Sequence, residues 1–228
     1  VRPGGVGLPG DWRGTDEAFA EALKTIEATA TVCAAIGATR FYTWIMPVSE
    51  TLPFKENFAF HVARLTPVAE ILAKHGCRIG LEFVGTPSIR TGKPHEFICT
   101  LGGMMELCRA LGTGNAGLLL DCWHWYTSGG APDEIRGLKR DDVVYVHVND
   151  APKLPVEEQQ DNRRTLPGET GVIDIVGFLQ ALRDIGYDGP VTPEPFSEKV
   201  KGLPAELATR LTGGTLAKVW KATFPAET

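Results

Sequence analysis

The chain has 228 residues, 43% hydrophobic and 22% charged, with a formal net charge of −5 at pH 7. That charge speaks against a nucleic-acid partner, and no apolar run approaches the ~18 residues that cross a bilayer. Five cysteines, an odd and scattered set without a CxxC pair, point to reduced thiols and a cytoplasmic setting rather than a disulfide framework.

Val1 to Gly14 is rich in glycine and proline and reads as a loop. It has no apolar signal-peptide core and no initiator Met, so a processed or truncated chain is expected. Thr15 is placed to cap a helix with Asp16 and Glu17 in its first turn. Phe19, Leu23, Ile26, Ala30 and Cys33 follow at helical spacing, and Gly37 ends the run. Thr39 to Ile45 is β-branched and aromatic, hence a strand. Asn57 opens a second helix through Leu65 and Leu72, with Pro67 expected to kink it. Arg78 to Phe83 is a strand, Pro94 to Leu111 a helix, and Gly117 to Leu120 a continuous apolar run suited to a strand buried on both faces. A short helix at Pro132 to Leu138 precedes the strand Asp142 to Val148. Asn149 to Thr170 is a long polar loop, of a length that is usually functional. Ile173 to Ile185 is helical, Pro190 to Glu194 is the last strand, and Leu203 to Lys221 is an amphipathic helix anchored through Leu207, Leu211 and Trp220.

Strands alternating with helices predict an α/β fold with a parallel sheet, as one domain over residues 1–228. No GxGxxG or GxxxxGK[ST] follows any strand, which speaks against a dinucleotide or P-loop site. Instead, four strands end on polar groups: Glu82, Asp121, His147 and Glu194. Sites in parallel α/β folds gather at the carboxyl ends of strands, so one shared site is expected. Three carboxylates and one imidazole suit Mn²⁺, Mg²⁺ or Co²⁺ better than Zn²⁺, with Mn²⁺ the first choice. Plainer roles stand beside this one. Asp121 could cap a helix, Glu82 could pair with an arginine, and His124 could be packed among Trp123, Trp125 and Tyr126. Arg164 could lie on a solvated loop. Asp150 could orient a ligand or only begin the loop.

In this order and context, Gly-Leu-Glu82-Phe, Leu-Leu-Leu-Asp121-Cys-Trp-His124, Val-His147-Val-Asn-Asp150, Arg164-Thr-Leu-Pro-Gly168 and the Pro-Val-Thr-Pro-Glu194 ending resemble the xylose-isomerase-like TIM-barrel superfamily. Within it, the pattern is most similar to ketose 3-epimerases and inosose-processing enzymes. The resemblance implies a (β/α)8 barrel of which strands four to eight are recognisable, the first three needing roughly fifty to sixty further residues. It implies that Glu82, Asp121, His147 and Glu194 bind one divalent metal and that His124 and Arg164 contact substrate oxygens. Glu82 and Glu194 double as acid–base catalysts. The chain departs from the epimerases at Gly85-Thr86-Pro87-Ser88, where they carry a further glutamate.

The implied function is a metal-dependent isomerase or epimerase of a small sugar or inosose, working through a metal-stabilised enediolate, with a homo-oligomer as a possible assembly. A dehydratase of the inosose type is the first alternative. An endonuclease-like barrel and a non-catalytic one are more distant.

Overall fold

A computed structural model describes residues 3–225. The chain contains strands β1 (Val6–Gly7), β2 (Arg40–Ile45), β3 (Val48–Ser49), β4 (Arg78–Phe83), β5 (His95–Glu96), β6 (Ala116–Asp121), β7 (Val143–Val148) and β8 (Val191–Pro193). The α-helices are α1 (Asp16–Ala35), α2 (Phe54–Lys74), α3 (Pro87–Arg90), α4 (Leu101–Ala110), α5 (Cys122–Thr127), α6 (Pro132–Arg136), α7 (Ile175–Asp184) and α8 (Ala205–Thr223). Six strands form an open sheet in the order β1-β2-β4-β6-β7-β8, while β3 and β5 make a separate antiparallel pair. The pairings β1–β2, β2–β4, β4–β6 and β7–β8 are all parallel.

The chain divides into two compact units. One comprises the segment up to Val84 with Gly92–Leu120 and Asp141–Tyr145. Its core includes Ile26, Leu65, Leu72, Ile79, Leu81 and Met104, all fully buried. Each such side chain contributes about 1.5–3 kcal/mol relative to exposure. The Thr15 hydroxyl accepts from the Ala18 N–H at 3.2 Å, which caps α1 as its sequence requires. Gly37 and Gly76 leave α1 and α2 at φ +78° and +66°, a backbone region that other residues enter at a cost.

The second unit comprises Gly85–Thr91, Asp121–Arg140 and the chain from Val146 onward. Trp123, Phe178 and Ala181 are fully buried there. The long loop after β7 is held by its own polar groups. Gln159 is buried, and its amide donates to the carbonyls of Pro152 and Leu154 at 2.9 and 3.0 Å.

Several expectations change. The segment before Gly14 is not all loop, because β1 pairs with β2 and is itself the sheet edge. The main sheet therefore has six strands, and the five-strand assignment to barrel strands four to eight does not hold. Two residues held by backbone hydrogen bonds carry too little periodicity to be read in a sequence. The helix expected at Pro94 to Leu111 is shorter, since β5 and the Thr100 cap precede α4. Pro67 does lie inside α2, as expected, but that helix opens at Phe54, ahead of the expected Asn57. Leu207, Leu211 and Trp220 do not anchor α8: they remain 49%, 39% and 37% exposed. The helix instead buries Thr212, Val219 and Thr223, a different stripe of the same 3.6-residue period.

Candidate metal centre

Asp121 is the last residue of β6 and also the N-cap of α5. Its Oδ1 accepts the Trp123 N–H at 2.8 Å, which leaves Oδ2 for other partners. One carboxylate thus serves the strand end, the helix start and the site. His147 is the fifth residue of the fully buried β7. Its Nδ1 lies 3.9 Å from Asp121 Oδ2 and 3.7 Å from Glu194 Oε2. Glu194 stands just past β8, where its backbone N–H donates to Asn149 Oδ1 at 3.2 Å. Glu82 is the fifth residue of β4, within its buried run, and is 7% exposed. Glu82, Asp121, His147 and Glu194 each offer one ligand atom, and these atoms all lie within 4.8 Å of one another.

That spacing tests the fit to a metal. Bonds of about 2.0–2.3 Å allow two ligands of one ion to stand at most about 4–4.6 Å apart. The observed spread meets this limit after shifts of tenths of an ångström. The donor set, oxygen-rich with one neutral nitrogen, suits a hard or borderline divalent cation.

Arg164 enters the same cluster from the loop and is 3% exposed. Its Nη1 donates to Asp121 Oδ2 and to Glu194 Oε2, both at 2.7 Å. Its Nε donates to the Asp161 carbonyl at 3.0 Å and its Nη2 to Asp161 Oδ1 at 2.8 Å. Nη2 also faces His124 Nε2 at 3.3 Å. The guanidinium carbon lies 5.2 Å from the Trp123 ring centre and 5.0 Å from that of Phe196. Burial by itself would raise the Asp121 carboxyl pKa. The positive charge of Arg164, the nearby His124 and His147, and the Trp123 N–H outweigh it and hold the group well below the usual carboxylate range.

His124 is buried on α5, and its Nδ1 accepts the Gly85 N–H at 3.3 Å. A Cβ on Gly85 would stand 2.2 Å from the His124 carbonyl oxygen, so only glycine permits this approach. Trp123 is fixed by its indole N–H, which donates to the buried Thr86 hydroxyl at 3.0 Å. Trp125 packs its ring 5.3 Å from Phe178 and lies in the core.

Asp150 holds the base of the loop. Its Oδ1 accepts the N–H groups of Ala151, Val172 and Ile173 at 2.9, 3.2 and 3.0 Å. Its Oδ2 accepts those of Thr170 and Gly171 at 3.0 and 2.7 Å. Asp150 and Thr165 also exchange backbone hydrogen bonds at 3.0 and 2.9 Å, which pins the residue after Arg164. Asp161 and Asn149 are site neighbours that the sequence did not single out. Asp161, three residues before Arg164, had a faint signal in that spacing, and Asn149 had none beyond following a strand.

Residues 4–214 match the family model described as a xylose isomerase-like TIM barrel. An inosose isomerase of Halalkalibacterium halodurans is 30% identical over 164 residues, covering 72% of this chain and 55% of that protein, so the chain spans about half the length of that relative. A 3-dehydroshikimate dehydratase of Pseudomonas aeruginosa is 31% identical over 142 residues, 61% of this chain and 21% of that protein. Among solved structures, a xylose isomerase domain protein of Alicyclobacillus acidocaldarius matches with a TM-score of 0.88 at 31% identity, over 96% of this chain and 77% of that one. No helix among the described residues is long and apolar enough to cross a membrane.

Proposed function

This chain belongs to the xylose isomerase-like TIM-barrel family, and from that premise we propose that it is a divalent-metal-dependent sugar isomerase or epimerase acting on a small ketose or inosose. The observation that carries this reading is the meeting of Glu82, Asp121, His147 and Glu194 with ligand atoms within 4.8 Å of one another. These four residues hold the ion in this proposal, and Mn²⁺ is the ion to load first. When bound, such an ion supplies positive charge beside neighbouring carbonyl and hydroxyl oxygens and so acidifies the carbon-bound proton between them.

The remaining work falls to the chain. Asp121 is fully buried and already bonded on both oxygens, so it serves as a ligand rather than a base. His147 is the nitrogen ligand. Glu82 and Glu194 are the two bases: one takes the carbon-bound proton, and the other returns a proton to the neighbouring carbon or to the opposite face. His124 meets a substrate oxygen. Isomerisation and epimerisation differ only in where the proton is returned.

A dehydratase is the second reading, favoured by the 3-dehydroshikimate dehydratase relative. There the proton is removed in the same way and a β-hydroxyl leaves as water. Incubation of the Mn²⁺-loaded protein with ketoses and inososes in D₂O tests both. Isomerase or epimerase activity incorporates deuterium at the reacting carbon and conserves substrate mass otherwise. Dehydratase activity yields a product lighter by one water. No exchange and no product on the panel would remove the proposal.

A further inference from the structure

We propose that Arg13 receives an anionic group of the substrate, which narrows the substrate class to ketoses or inososes that bear a carboxylate or a phosphate. This deepens the isomerase reading above and rests on it for where the reacting carbons lie.

Arg13 belongs to the segment between β1 and α1, beyond the carboxyl end of β1. Sites in parallel α/β folds gather at that end of the strands. The sheet explains its placement. The Leu8 N–H donates to the Tyr42 carbonyl at 2.8 Å, so β2 turns that carbonyl toward β1. Groups two residues apart on a strand point the same way, and Trp44 therefore turns its carbonyl to the same side. Strand β1 has ended at Gly7, and Arg13 Nη2 supplies a donor to the Trp44 carbonyl instead. The same Nη2 donates to Thr43 Oγ1 at 3.2 Å.

Trp44 links this anchor to the metal centre. It is the in-register partner of Glu82 across the parallel pair β2–β4, so both side chains project from one face of the sheet. The two strands lie about 4.8 Å apart, the usual spacing. On the β1 side of Trp44, the guanidinium carbon of Arg13 stands 4.6 Å from the indole centre. A ligand whose reacting end meets Glu82 reaches Arg13 by passing the Trp44 ring, which is 46% exposed.

The rest of Arg13 suits an anion. Nε and Nη1 carry further N–H groups. Among the described residues nothing accepts from them, and no carboxylate pairs with the guanidinium. The Trp12 ring covers it as well, with its centre 4.0 Å from the guanidinium carbon. Burial pulls the Arg13 pKa down to about 10, against the opposing pull of Asp11. A cation partly withdrawn from water and left with unused donors binds an anion more strongly than a fully solvated one, because less water competes.

The test uses three ketoses that differ at one carbon: D-fructose, D-fructuronate with a carboxylate there, and D-fructose 6-phosphate. In calorimetric titration of the Mn²⁺-loaded protein, one anionic ketose should bind roughly tenfold or more tighter than fructose. Which of the two does so separates a carboxylate from a phosphate substrate. Arg13→Gln keeps a donor for the Trp44 carbonyl but no charge, so the preference should fall to about threefold or less. Arg13→Lys should retain part of it. Phenylglyoxal labelling of wild type needs no variant and decides the matter if Arg13→Gln fails to fold. Peptide mass should show Arg13 modified in fructose and protected by the favoured anionic ketose. Equal affinity of wild type for neutral and anionic ketoses overturns the proposal, as does an anionic preference that survives in Arg13→Gln. So does Arg13 labelling that the anionic ketose leaves unchanged. Anionic binding that protects Arg13 without deuterium exchange into any of the three ketoses would sink the isomerase reading and support the anion site.

Discussion

Arg164 Nη1 lies 2.7 Å from Asp121 Oδ2, joining the end of β6 to a loop 43 residues further along the chain. Both side chains are buried, at 1% and 0% exposure. A contact of this kind stabilises only while both partners are present, since removing one leaves the other charged and enclosed.

Asp121→Asn should therefore lower stability by about 3–5 kcal/mol, the usual cost of breaking a buried pair. Its N-cap role survives in part, because asparagine also caps helices. Mn²⁺ affinity should fall, and excess Mn²⁺ should partly restore activity. Urea denaturation and metal titration of the variant measure the two effects separately. Wild-type values in both would show that the carboxylate is neither paired nor a ligand in solution.

Glu194→Gln should retain Mn²⁺ yet lose activity by about 10²–10⁴-fold, the typical share of general acid–base catalysis. Glutamine keeps the shape and one oxygen but not the basicity. Excess Mn²⁺ should not rescue it. Deuterium exchange into substrate at the wild-type rate, with metal bound, would make Glu194 a ligand only.

Asp150→Asn should free the loop. Asparagine keeps one acceptor oxygen, and its NH₂ group must then face N–H donors, so two or three of the five bonds are lost. A cost of about 2–4 kcal/mol is expected from the loss of hydrogen bonds to a charged acceptor. Limited tryptic digestion should then cut after Arg163 or Arg164 at a concentration that spares wild type. Equal resistance of the two proteins would mean that the loop is held elsewhere.

Thiol chemistry gives a check on burial that needs no activity. Burial pushes the Cys108 thiol up to about 12, and Cys122 is also raised well above its ordinary value by burial and then by Asp121. Both thiols should stay protonated and unreactive at pH 8, as should the buried Cys77. Cys33 and Cys99, which are partly exposed, should account for the thiols titrated in native protein, and all five should react after unfolding. Rapid labelling of Cys122 at pH 8, mapped by peptide mass, would contradict the enclosed setting of the metal centre.

Much of this was legible in the chain itself. Continuous apolar runs ending in Glu82, Asp121 and His147 mark strands buried on both faces, because only a parallel sheet removes the need for alternation. The strand-end placement of the four polar groups, the Thr15 cap and the glycine stops follow from local chemistry and could be read without coordinates. Tertiary structure alone decided the rest. The β1 strand exists because β2 supplies its hydrogen bonds, and two residues carry no pattern of their own. The face that α8 buries depends on what it packs against, so exposed Leu207 and Leu211 looked like anchors. Arg164 looked like a loop residue for either solvent or substrate. Its bonds to Asp121, Asp161 and Glu194 join positions up to 43 residues apart, and such distances close only in the folded chain.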